Sequence, residues 1–283
     1  EKGLWWPSVD DIYGGSMQQL LIASDALSAI RTVDPSSPDI DRIRQWLILQ
    51  KEARNWGSTS VATQIIATFL SSSPTWIAPS QPVEITVGRH RVDTTPVDNR
   101  LGYFRTDISS LNPSGAILSV VEGDKTPAWG AVYSQSRQVI TDIKASSCDA
   151  VSIEKRMFRQ NGTEWQAVDS YLRVGDRVKI QLLIHATRDM QYLAITDDRA
   201  ACLEPVEQLP APIWSEGLCF YRENRDSSTN MFVTNMPAGT YLLEYELWVN
   251  NAGTFSSGIA TIQSQYAPQL TAHSAGSTIT ITE

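Results

Sequence analysis

For its length the chain is poor in cysteine, histidine and positive charge. Three cysteines among 283 residues, Cys148, Cys202 and Cys219, provide no disulfide framework and no metal-ligand spacing. The odd number leaves at least one free thiol. Separate buried thiols are the default, and a Cys202–Cys219 pair in an oxidising compartment is the alternative. Three histidines, His90, His185 and His273, stand far apart with no second ligand nearby, so no metal site is expected. Lys and Arg number 23 against 31 Asp and Glu, a net charge of −8. That balance argues against nucleic acid and anionic membrane as partners, since both require a basic surface. No apolar run approaches the ~20 residues that cross a bilayer. The start, Glu1 to Trp6, is not a signal peptide and reads as a chain cut from something larger. Internal repeats and low-complexity tracts are also missing.

Catalytic patterns are equally scarce. There is no Gly-x-Ser-x-Gly elbow to support a Ser-His-Asp triad. Asp10-Asp11 and Asp197-Asp198 are adjacent carboxylates, which read as caps and solvated charges rather than acid–base pairs. Asn161-Gly162-Thr163 matches a glycosylation acceptor, but a hairpin turn accounts for it. No cofactor and no enzymatic activity are expected.

What the sequence does contain is a change of hydrophobic period. Met17 to Val33 is apolar on most sides, a helix covered by more than one neighbour. Pro35 and Pro38 end it, and Asp39 stands as N-cap of a second helix, Ile40 to Glu52, with Ile40, Ile43 and Leu47 as its stripe. Ser58 caps a third, whose Val61, Ala62, Ile65, Ile66, Phe69 and Leu70 form the cleanest stripe in the chain. Three such helices bury too little to stand alone. After Pro74 and Pro79 the period falls to two. Val83 to Val87, Leu101 to Ile108, Ala116 to Val121 and Ala128 to Ile143 read as β-structure, with a weak boundary at Lys144 to Asp149.

Beyond that boundary the pattern is antiparallel. Val151 to Arg159 and Trp165 to Val168 flank Asn161-Gly162, a type I′ hairpin signal. Arg177 to His185 turns Val178, Ile180, Leu182 and Ile184 inward, and Tyr192 to Ile195 is a short strand before the irregular, Pro-rich Leu203 to Ile213. Met231 to Val233, the Pro237-Ala238-Gly239 turn, Thr240 to Val249 and Thr254 to Tyr266 complete a meander. About seven strands result, enough for a sandwich. Arg188-Asp189 and Arg222-x-x-Arg225-Asp226 suit bidentate Arg–carboxylate bonds that fix loops.

The run from Tyr221 to Ser274 closely resembles the last domain of bacterial alpha-2-macroglobulin-like proteins, with Tyr-Arg-x-x-Arg-Asp, Pro-x-Gly-Thr-Tyr, Glu-Tyr and Tyr-Ala-Pro in family order. Upstream, Trp46-Leu47, Gln50-Lys51 and Trp56-x-x-Thr59 resemble the last helices of the family's thioester-type domain, as in Bacteroides-like members. Gly102-Tyr103-Phe104 and Trp129 to Tyr133 look like the CUB-like segment that follows. Leu172 to Val178, Arg188-Asp189-Met190, Asp198-Arg199-Ala200 and Leu203-Glu204-Pro205 lead into the terminal domain.

The resemblance implies a multidomain α and β chain. Residues 1–78 would be the end of an α/α-toroid helical domain, 79–146 a CUB-like β segment, and 147–283 an antiparallel macroglobulin sandwich. It implies a non-enzymatic part of a protease trap in the cell envelope, periplasmic or at the surface and lipid-anchored through another part. Its partners would be target proteases, met by the full-length protein, and the remaining domains of the same chain. Cys202-Leu203-Glu204-Pro205 resembles the thioester motif, yet Pro205 lacks the side-chain amide that the bond requires. Ser264-Gln265-Tyr266-Ala267-Pro268 matches a segment that lies against the helical domain in thioester-bearing relatives. Gln265, Tyr266 and Tyr221 are therefore the expected interdomain residues, with Tyr266 partly buried. Two rival readings remain: a surface β-sandwich adhesin or carbohydrate-binding module, which requires exposed tryptophans, and an α/α-toroid glycosidase, for which the helices are too few.

Overall fold

The computed structural model describes residues 3–6, 15–53, 56–72, 83–95, 104–111, 117–121, 130–168 and 171–283, and every structural statement here concerns those residues. Asp10-Asp11, Pro74, Pro79, Gly102-Tyr103 and Trp129 lie outside them. The chain divides into two compact units, residues 1–47 with 57–135 and residues 48–56 with 136–283.

The helical period produces α1 (Gly15–Val33), α2 (Asp39–Ala53), whose residues from 48 on count with the second unit, and α3 (Thr59–Ser72). Ser37, rather than Asp39, caps α2. Its Oγ accepts from the Asp39 N–H at 3.3 Å, and Pro38 fills the first-turn position, where no N–H is needed. Asp39 instead takes Arg42 at 3.0 Å, three residues on. Ser58 caps α3 as expected, accepting from the Val61 N–H at 3.4 Å. On α3 the buried residues are Val61, Ile65, Thr68 and Phe69, whereas Ile66 and Leu70 stay exposed. Thr68 tolerates burial because its hydroxyl meets that of Ser24 on α1 at 2.9 Å.

The first unit also carries a small sheet in the order β2 (His90–Arg91), β1 (Glu84–Val87), β3 (Leu118–Val121). The other strands expected here are not formed among the described residues. Residues 104–108 and 130–139 are irregular, and Ile140–Asp142 is a 3₁₀ turn. Side chains from 130 to 142 are all exposed, so their alternation buries no face and selects no register.

The second unit is a β-sandwich. A six-stranded sheet runs β10 (Ala211–Ser215), β11 (Leu218–Asn224), β12 (Ser228–Met236), β8 (Met190–Asp198), β15 (Ala260–Ser264), β16 (Thr271–His273). A five-stranded sheet runs β5 (Glu164–Ala167), β4 (Val151–Asn161), β7 (Arg177–Ala186), β13 (Gly239–Val249), β9 (Leu203–Pro205). A third sheet joins β14 (Gly253–Ser257), β17 (Ser277–Thr282) and β6 (Tyr171–Arg173). This is more strands than the seven expected. Some additions, such as β9, β10 and β16, are three to five residues long, too short for period two to show, whereas β11 and β17, of seven and six residues, were missed despite their length. Thr254 to Tyr266, read as one strand, is two strands in different sheets. The β4–β5 turn also shifts by one residue. Asn161 pairs with Glu164, leaving Gly162-Thr163 as the loop. Of those two only Gly162 has a positive φ, +62°, which is a type II′ rather than a type I′ pattern.

Strict alternation builds the core. Val178, Ile180, Leu182 and Ile184 of β7 and Tyr241, Leu243, Tyr245, Leu247 and Val249 of β13 are all buried, facing Leu193 and Ile195 of β8 and Met231 and Val233 of β12 within one apolar cluster. Asp197 occupies the next inward place on β8 and is fully buried. The expectation of a solvated charge is therefore wrong at this position. Lys155 of β4 reaches across the core to Asp197 Oδ1 at 2.5 Å and also donates to the carbonyls of Asp198 and Gly258, both at 3.0 Å. The Tyr245 hydroxyl donates to Asp197 Oδ2 at 2.5 Å. All three ammonium protons and both carboxylate oxygens thus have partners, which is what a buried pair requires. Burial first, then the Asp197 charge, holds the Tyr245 hydroxyl well above its usual value of 10.0. Burial, then Asp197, likewise raises Asp198, against Lys155. A Cβ at Gly258 would sit 2.3 Å from Asp198 Cβ, so the close approach that brings its carbonyl to Lys155 demands glycine.

Two outcomes follow. Lys155→Ala leaves a buried carboxylate unpaired and should cost about 3–5 kcal/mol of sandwich stability in urea unfolding, whereas the double change Lys155→Met, Asp197→Leu should recover most of it. A double variant no better than the single one would contradict this account. Because Tyr245 is raised in the fold, its contribution is complete below pH 10 and is lost as pH rises above that value. Tyr245→Phe should flatten that alkaline decline in a pH series of melting curves.

Candidate docking face

The two outward faces of the sandwich differ in chemistry. On the five-stranded sheet the outward side chains are laced together. Arg156 pairs with Glu154 through two 2.8 Å bonds, Lys179 with Glu244 at 3.4 Å, and Arg177 with Glu246. Lys179 also lies 4.6 Å over the Trp165 ring and Arg177 5.5 Å over Trp248. Such a face satisfies itself in water.

The six-stranded sheet is laced less densely: Arg225 pairs with Glu223 at 2.9 Å and Gln191 donates to Asn235 at 2.7 Å. Cross-strand register aligns Pro212, Tyr221, Phe232, Ala194, Gln263 and Thr271 in one row across all six strands. None carries a charge. Beside that row Trp214 pairs with Cys219, and Tyr192 lies between the Val233–Leu193 and Asn235–Gln191 pairs. Trp214, Tyr221, Phe232, Tyr192 and Tyr266 are all exposed. Contiguous exposed apolar surface of this kind marks an interaction site.

Tyr192 is also strained. Its φ is +55°, a left-handed value that costs a bulky residue ~1–3 kcal/mol and clusters at functional positions. Its carbonyl accepts from the Gln265 N–H at 2.9 Å, and its ring meets Tyr266 edge-on, centroids 5.2 Å apart at 88°. The loop bearing Tyr266 is fixed beneath. Ala267 and Leu270 are buried, the Leu270 N–H donates to the Ala267 carbonyl at 2.8 Å, and Gln263 donates to the Pro268 carbonyl at 3.2 Å. Anchoring on those neighbours turns the Tyr266 ring outward. It is 79% exposed, not partly buried.

Of the residues singled out in the sequence, Gln265 and Tyr266 are brought together, and Tyr221 shares their face on β11. Cys202 and Cys219 are not joined. Cys202 packs in the core, Cys219 points out on the exposed face of β11, and all three cysteines are free. Burial pushes the Cys202 thiol up to about 11. The arginine clusters also differ from expectation. Arg222 takes Glu207, and Arg225 takes Glu223 at 2.9 Å, so neither uses Asp226. The Arg225-Asp226 loop is held through its carbonyls by Arg199, and Asp189 accepts from the Ala238 N–H at 3.0 Å. Among the described residues no cluster of three or more His, Cys, Asp or Glu side chains is arranged to hold a metal ion, and no helix is long and apolar enough to cross a membrane.

Residues 151–269 match the family model of the bacterial alpha-2-macroglobulin MG10 domain. No curated protein matches the chain. Among solved structures, trypsin-activated alpha-2-macroglobulin from Escherichia coli is 15% identical over 94% of this chain and 19% of its own, with a TM-score of 0.49. Salmonella alpha-2-macroglobulin reacted with methylamine is 19% identical over 98% of this chain and 18% of its own, TM-score 0.43. The native E. coli piece from domain MG7 to the C-terminus is 18% identical over 97% of this chain and 44% of its own, TM-score 0.42. This chain thus spans about a fifth of the longer proteins and less than half of the shorter one. Residues 151–269 belong to the bacterial alpha-2-macroglobulin MG10 domain family, the C-terminal region that the ordered sequence motifs had indicated.

Proposed function

We propose that this chain is a non-enzymatic, C-terminal part of a bacterial alpha-2-macroglobulin-like protease trap of the cell envelope, and that its sandwich docks a neighbouring domain of the same polypeptide. The observation that carries the reading is the Tyr192–Tyr266 pair. The pair is an exposed aromatic edge on a fixed loop, and Tyr266 keeps 79% of its surface free for a partner. Gln265 and Tyr266 form the contact, with Tyr221 on the same face as its outer limit. In this reading α1 to α3 are the last helices of an α/α-toroid domain, in keeping with exposed Ile66 and Leu70 on α3, and the β segment after them is CUB-like. Target proteases are the partners of the full-length protein, as the matched E. coli alpha-2-macroglobulins are activated by trypsin and by porcine elastase. The whole molecule should retain an added protease through size-exclusion chromatography.

In the full-length protein the amides of residues 190–193 and 263–268 should exchange more slowly than in the isolated 283-residue chain, and Tyr266→Ala should remove that difference. Equal exchange in both settings would sink the docking role. Tyr192→Gly relieves the positive φ and should leave the isolated chain as stable or up to about 1 kcal/mol more stable, while weakening docking in the whole protein. A loss of stability in the isolated chain would mean that the strain serves the fold instead.

This chain supplies no reactive acyl bond of its own. Cys202 lies in the core, Pro205 offers no amide, and the raised thiol stays protonated at neutral pH. Methylamine should leave the mass of the chain unchanged. Iodoacetamide at pH 8 should label Cys219 readily and Cys202 only after unfolding; fast labelling of Cys202 in the folded chain would overturn this assignment.

A further inference from the structure

The β10–β12 end of the aromatic face has a composition that domain docking does not explain. Trp214 is 77% exposed and sits next to a tight hairpin turn, Glu216-Gly217, whose φ angles of +50° and +80° are both positive as a type I′ turn requires. Tyr221 and Phe232 are directly paired on adjacent strands, one strand spacing of about 4.8 Å apart. Farther along the same row the side chains are Ala194, Gln263 and Thr271. The row and its Trp214–Cys219 neighbours therefore hold aromatic rings, neutral hydrogen-bonding groups and the small Pro212, Ala194 and Cys219. They contain no Leu, Ile, Val or Met and no charge.

That combination narrows the partner. Protein interfaces centre on Arg and Met as well as aromatics, and those are missing here. An anionic polymer or lipid surface requires cations, and none stands in these rows. The opposite face of the sandwich, by contrast, is dense in charge. Addition of a strand along the β10 edge is blocked by Pro210 and Pro212, which lack the N–H to donate. A ligand must approach the face itself. We propose that Trp214, Tyr221 and Phe232 form a binding platform for a neutral polysaccharide. Its sugar rings stack their C–H faces on the aromatic side chains, and its hydroxyls bond Gln263 and Thr271 along the row. An uncharged polymer complements an uncharged row; in the next row Glu223 is already paired with Arg225. The platform goes beyond the trap reading and does not depend on it.

The test is native affinity electrophoresis of the 283-residue chain through gels containing a soluble β-glucan, a galactomannan or a dextran, with polygalacturonate as an anionic control. At least one neutral polymer should retard the chain and quench its tryptophan fluorescence, and polygalacturonate should not. Trp214→Ala should weaken that retardation by about tenfold, Trp214→Tyr should keep most of it, and Phe232→Ala provides a second variant should the first fold poorly. Tyr266→Ala, the docking variant, should be retarded like the parent. No retardation in any neutral polymer, retardation by polygalacturonate alone, or retardation that survives both Trp214→Ala and Phe232→Ala overturns the platform. Failure here leaves the exchange test of docking at Tyr266 standing, so the two readings fall separately.

Discussion

The sandwich depends on one polar crossing of its core. Lys155 from the five-stranded sheet and Asp197 from the six-stranded sheet meet at 2.5 Å, with Tyr245 completing the carboxylate. Apolar burial alone is non-directional and lets facing sheets slide. A buried pair does not, because any shift by a residue leaves a charge without its partner at a cost larger than most single contacts supply. The pair thus ties the alignment of β4 to that of β8, and Gly258 tightens it by allowing the β14–β15 corner to approach until its carbonyl reaches Lys155. Neighbouring Thr229 is drawn in as well. It accepts from Arg199 and donates to Asn224, both at 2.8 Å, and Arg199 in turn holds the Arg225-Asp226 loop. The strand-end loops near β11 and β12 are thereby fixed from within.

That crossing was within reach of the sequence. Val151, Ile153, Lys155 and Met157 share one parity on β4, as do Leu193, Ile195 and Asp197 on β8. A charged residue in an inward place on each of two strands is a signal that the two are partners. Reading Asp197 with Asp198 as a pair of neighbours hid it, since adjacent strand residues face opposite ways. The long strands β4, β7 and β13 were legible because ten or eleven residues of alternation leave no other reading. Short strands were not. β9 and β10 are fixed by pairing with β13 and β11, information that lies elsewhere in the chain.

The candidate face divides in the same way. Gln265, Tyr266 and Tyr221 were singled out through family motifs, whereas Phe232 stood in a short apolar run, Met231 to Val233, with no sign that its ring faces outward. Tyr192 could not be placed by any pattern. A left-handed tyrosine has no local cause in its own segment; the conformation is imposed by strands on either side, β12 and β15, whose registers leave Tyr192 between them. Trp214 was one of nine tryptophans, and nothing short of the β10–β11 register says which of them faces solvent.

The difference between the two faces is itself an argument about what the domain was built to do. Both sheets need an inner apolar face, so their inward residues resemble each other. Outward residues have no folding duty and are free to record the surroundings. One outer face invests its long side chains in mutual pairs, which keep it soluble and closed to partners. The other exposes aromatic rings and holds one of them, Tyr192, in a left-handed backbone conformation imposed by the strands on either side. Strain of that kind persists only where surrounding structure over-determines it, and here the loop under Tyr266 does so through Ala267 and Leu270. A face kept solely for solubility would carry paired charge throughout, as the five-stranded sheet does, and that contrast is what the docking proposal rests on.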